Sequence, residues 1–97
     1  MIVVNSNDTK SETNQHPYVE MFRKEIDSYC TYKEWAESAN DEWLEEAFEE
    51  MMEDEFLHAR FIHEYLMNNN LYNPSNEDIH EQKYWKIYRK YYRWKQL

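Results

Sequence analysis

Apolar side chains recur along this chain at alternating steps of three and four residues, the spacing that keeps them on one face of a helix. Between Asp41 and Met67 one such stripe runs Leu44, Phe48, Met51, Glu55, His58, Ile62, Tyr65. Five of these suit a buried face. Glu55 and His58 do not, and a buried carboxylate is costly unless a partner or an ion neutralises it. A second stripe, Tyr18, Phe22, Glu25, Tyr29, Tyr32, Ala36, Ala39, has Glu25 as its one ionisable acid. Val19, Phe22, Ile26, Tyr29 and Ala36 are the apolar positions of that first helix.

The pattern predicts helices over about residues 17–38 and 41–67. Pro17 suits a first helical turn, and Ser38 and Asn40 in the break are the expected caps. So short a break makes the two helices an antiparallel hairpin. Asn68-Asn69-Asn70 stops the second helix, and Asn73-Pro74-Ser75-Asn76 reads as a turn. A third helix is expected from about Glu77 onwards, packing across a subunit interface. Residues 1–15 show no period and read as a mobile arm, leaving residues 16–97 as one helical domain.

Composition narrows the fold to all-α. The 97 residues include no glycine, two prolines, four tryptophans and nine tyrosines, too few turn formers for a β fold. Cys30 is the one cysteine. No disulfide can form within the chain, and a reducing, cytoplasmic setting is expected. Ile2-Val3-Val4 is too short for a signal-peptide core, and no stretch approaches a membrane span.

The net charge of −9 is uneven. Residues 1–81 carry all 20 acids, and residues 82–97 carry six bases and no acid. The basic tail is expected on an acidic surface, its own or a neighbour's. Free nucleic-acid binding is disfavoured by the acidic body, although Lys83, Lys86, Arg89, Lys90 and Arg93 interleave with Tyr84, Trp85, Tyr88, Tyr91, Tyr92 and Trp94. Those aromatics, like Cys30, are read first as packing.

The chemistry comes from register. Glu25 lies 14 residues before Ala39 and Glu55 lies 14 after Asp41, so each is about 21 Å from the turn at roughly 1.5 Å per residue. The hairpin therefore sets both carboxylates at one height, with His58 a turn further on. Two carboxylates and an imidazole suit iron, with manganese as the other metal. One chain supplies half of a di-metal site, because the four-helix version takes a Glu from each of two helices and a Glu-x-x-His from each of the other two. Two copies about a two-fold axis complete it, so a homodimer or a higher homo-oligomer is expected.

Glu25, Tyr32 and Glu55-Phe56-Leu57-His58, with Ala59 leading to Glu64-Tyr65-Leu66, resemble the ferritin-like superfamily and its di-iron hairpin, also found in rubrerythrin. The half-length encapsulated ferritins are the nearest likeness, and the 30-residue separation of Glu25 and Glu55 matches that branch. The resemblance covers about residues 18–67. It implies a ferritin-like four-helix bundle completed by dimerisation and an inter-subunit di-iron site that oxidises Fe(II). Glu25, Glu55 and His58 would be the metal ligands, with Tyr32 as the catalytic residue beside them. It also implies a nanocompartment shell as a partner. The Gly-Ser-Leu docking peptide of that branch is not seen in this glycine-free sequence. Lys24 stands where the family has an acid, and Thr31 where it has an aromatic.

The acids Glu45, Glu46, Glu49, Glu50, Glu53 and Asp54 lie off the stripe and read as a solvated face. They support the alternative function, a small acidic interaction or inhibitor protein, of phage or mobile-element type, that occludes a basic surface. A metal-free structural relic is a third reading. Glu77-Asp78-Ile79-His80 repeats the Glu-x-x-His spacing, but in a first helical turn, where acids serve the helix dipole. His63, five residues past His58, is expected at a surface or an interface.

Overall fold

The computed structural model describes residues 14–96, with side chains through Arg93. Three helices carry the fold: α1 (Pro17–Ser38), α2 (Glu42–Asn68) and α3 (Gln82–Gln96), with a 3-10 turn at Pro74–Asn76. Among the described residues there is no strand, and no helix is long and apolar enough to cross a membrane.

Local chemistry sets the ends of the hairpin. His16 caps α1, its Nδ1 accepting from the Tyr18 amide at 3.1 Å. Asp41, rather than Ser38 or Asn40, caps α2, with Oδ1 accepting from the Leu44 amide at 3.0 Å. At the far end of α2, Asn70 takes a left-handed φ of 57°. The Leu71 amide then reaches the Leu66 carbonyl at 2.9 Å and the Asn70 amide reaches that of Met67 at 3.2 Å. This is the Schellman pattern, with asparagine in the position that glycine usually fills.

Val19, Phe22, Ile26, Tyr29 and Ala36 of α1 are all buried, as their spacing predicts. On α2 the buried side chains are Phe56, Ala59, His63 and Leu66. The expected stripe through Glu55 and His58 is therefore not the core of the chain. It lies one residue back, about 100° round the helix, and Met51 and Tyr65 on it are exposed. The tertiary reason is α3, which packs on the hairpin's other face. Tyr88 stacks on Phe56 at 5.3 Å, Tyr91 meets both Phe56 at 4.4 Å and Tyr29 at 4.9 Å, and Trp85 stacks on His63 at 5.4 Å.

Helix α3 thus packs on its own chain, through rings rather than through charge. Lys83, Lys86, Arg89, Lys90 and Arg93 stay exposed. Trp94 lies outside the described side chains. The helix also starts later than expected. Asp78 Oδ1 accepts from the amides of His80 and Glu81, both at 2.9 Å, and holds that segment in a turn. Glu77 is buried, its two oxygens 3.2 and 2.9 Å from Arg23 Nη2, while Glu81 lies 3.2 Å from Arg23 Nε. The second Glu-x-x-His is therefore an ion-pair anchor with an exposed His80. Of the segment read as an arm, residues 1–13 lie outside the described residues. Asn14 is buried and exchanges two hydrogen bonds with the Asn73 backbone, at 2.9 and 2.8 Å.

His63 corrects a further expectation, being 9 % exposed among Phe22, Tyr72, Trp85 and Tyr88. Its buried Nε2 has no hydrogen-bond partner. Burial lowers its pKa from 6.5 to about 4. The folded state therefore resists a proton that the unfolded chain accepts, and the contribution of neutral His63 falls away as pH drops from 6.5 towards 4. Replacing His63 with Phe should flatten the stability–pH curve in that window. Wild type should lose about 2 kcal/mol more than the variant across it, by urea unfolding. Parallel curves would show that the ring is not held neutral.

Candidate metal centre

Glu25 comes from α1, and Glu55 and His58 from α2. The three-residue connection and the packing of Phe22, Ile26 and Tyr29 beside Phe56 and Ala59 bring them to one level. One donor atom from each of the three lies within 4.8 Å of the others. His58 Nδ1 is 3.3 Å from Glu25 Oε2 and 3.9 Å from Glu55 Oε2. The register argument therefore assembles the residues as expected. It does not bury them: the side chains of Glu25, Glu55 and His58 are 26 %, 21 % and 55 % exposed.

The electrostatics of the group are unsatisfied. Glu55 is pushed up from 4.5 to about 7, first by its hydrogen bond with the Glu25 carboxyl, then by burial, then by the Glu25 charge, with His58 opposing. A proton shared between two carboxyl groups does what a cation does there, holding like charges together. Donors bonded to one ion at roughly 2.1 Å are at most about 4.2 Å apart; the two separations from His58, 3.3 and 3.9 Å, meet that limit, while the three donors together lie within 4.8 Å. The oxygen-rich set with one imidazole fits iron or manganese better than a soft-metal site.

Tyr32 is not part of this cluster on the described contacts. It stands two turns beyond Glu25 on α1, about 10 Å along the axis, with its ring edge-on to Trp35 at 5.5 Å. The surroundings carry a feature that spacing alone did not reveal. Tyr18, Met21, Trp35, Met51 and Tyr65, all from the same side of the hairpin, are 42–49 % exposed. Tyr18 and Tyr65 touch edge to face at 5.6 Å, and Trp35 packs on Phe48 at 5.5 Å. The partly exposed triad therefore sits beside an exposed aromatic surface. The repeated Tyr and Met at the flanking stripe positions were the available signal.

No family model, no curated protein and no solved structure matches the chain.

The carboxyl pair gives a test that needs no metal. An acid whose folded pKa exceeds its unfolded value loses stability as pH rises between the two, here from 4.5 to about 7. In chelator-treated protein, Glu55→Gln should remove that loss and raise stability at pH 8 by about 1–2 kcal/mol. A variant less stable than wild type at pH 8 would contradict the repulsion between Glu25 and Glu55.

Proposed function

We propose that two copies pair through this aromatic face to form a ferritin-like four-helix bundle, whose function is to bind and oxidise Fe(II). The observation carrying the reading is the convergence of Glu25, Glu55 and His58 on a face that is both half-exposed and apolar. A metal site complete within one chain needs no sticky surround. Half of a two-fold site does, because the partner must supply the remaining ligands and the cover. Apolar surface of this kind on a small soluble domain marks an interaction site.

Fe(II) is the substrate. Two such ions, held by one set of residues from each chain, supply the two electrons that reduce dioxygen or peroxide. Glu55 gives up its shared proton as a cation takes its place, and both carboxylates then favour the higher charge of the product Fe(III). His58 offers Nδ1 from the more exposed side, and its ring, 55 % exposed in one chain, would be covered by the partner. Tyr32 acts from further along α1 as an outer hydrogen-bonding or redox group. This leaves a nanocompartment shell as a further proposed partner, with no docking segment among the described residues.

The exposed acids Glu45, Glu46, Glu49, Glu50 and Asp54 favour the second reading, an acidic protein that covers a basic surface. That reading needs neither His58 nor a dimer.

Anaerobic Fe(II) titration with solution mass at each point distinguishes the two. About one tight iron per chain at dimer mass is expected, with saturation lost in Glu25→Ala and His58→Ala. No saturable binding, at monomer mass, would remove the iron reading. Tyr65→Glu lies outside the triad and should weaken dimerisation at least tenfold, about 1.4 kcal/mol. An unchanged dimer would move the interface elsewhere.

A further inference from the structure

A groove of about 560 Å³ opens between all three helices, sharing no residue with the triad. Its volume falls in the range of small-molecule sites, roughly 300–1,000 Å³. Tyr29, Met52, Ile87 and Tyr91 give it apolar and aromatic walls. The only charged residues lining it are Lys33 from α1 and Lys90 from α3, both exposed. No acid lines it among the described residues, although the chain carries 20 acids against 11 bases. An apolar trough whose charged lining residues are two lysines, with Asp27 and Glu34 set back from it, complements a molecule that has an alkyl body and an anionic end.

We propose that this groove binds a long-chain carboxylate, its alkyl chain along Tyr29, Met52, Ile87 and Tyr91 and its carboxylate between Lys33 and Lys90. The stems of both lysines can lie along the alkyl chain while their ammonium groups meet the head. The inference does not depend on the iron reading, because the groove and the triad share no residue.

Cys30 makes the test direct. It is the one cysteine of the chain, half-buried, and it lines this groove. Burial, with Asp27, pushes its thiol up, while Lys33 and Lys83 pull it the other way. Its reaction with a neutral maleimide at mildly alkaline pH therefore reports whether the groove is filled.

The full chain is alkylated in dodecanoate kept below its micelle threshold, then in dodecanol and in dodecyltrimethylammonium at equal concentration. Dodecanoate should slow the reaction saturably, by about tenfold at about ten times its half-saturating concentration. The alcohol and the cation should protect far less. Lys33→Gln with Lys90→Gln, at two exposed positions, should abolish most of the protection. Circular dichroism checks that this variant remains helical. Absence of protection by dodecanoate overturns the proposal. So does equal protection by the alcohol or the cation, or full protection of the double variant. Because the wild-type comparison of head groups stands alone, the proposal remains testable even if the double variant misfolds.

Discussion

The packing of α1 against α2 fixes nearly everything else in this molecule. Val19, Phe22, Ile26 and Tyr29 lie against Phe56, Ala59 and Leu66 in one cluster, and the connection from Ser38 to Glu42 leaves the helices little freedom to slide. A slip of one residue on either helix would turn its side chains through about 100°. Glu25 would then part from Glu55 and His58, and the bed for α3 would break up. The site and the core are thus two faces of a single register.

Those faces have opposite characters. Under α3 the hairpin is an assembly of rings, in which Phe56 touches Tyr29, Tyr88, Tyr91 and Tyr92. On the flank the hairpin leaves large rings partly in water around the Glu25–Glu55 carboxyl pair, with His58 beside it. A fold that places Glu25 and Glu55 side by side bears an electrostatic cost. It is relieved by a proton, by a cation, or by replacing one of the acids.

The loop from Asn69 to Glu81 ties the third helix to this frame. Asn70 turns the chain in the absence of glycine, and Leu71 and Tyr72 return to the core. Arg23 then draws in Glu77 and Glu81, and Asn14 holds the Asn73 backbone. Burial opposes the Arg23 charge, but Glu77, Glu81 and Glu20 together more than offset it, so the guanidinium is held ionised. With those acids committed to Arg23 and Asp78 bonded to the following amides, helix formation waits until Gln82.

The amino-acid sequence alone determined the two long helices, the antiparallel hairpin and the common height of Glu25, Glu55 and His58. Each follows from periodicity, caps and a short connection, which act over a few residues. It did not determine which of two overlapping stripes on α2 is buried. Glu55, His58, Ile62 and Tyr65 run one residue behind Phe56, Ala59, His63 and Leu66, and both rows keep helical spacing and carry large apolar side chains. Only the tertiary structure chose between them, because the choice depends on where α3 returns. That return is set by Arg23 with Glu77 and by Tyr88 on Phe56, contacts between residues dozens of positions apart that no local spacing encodes.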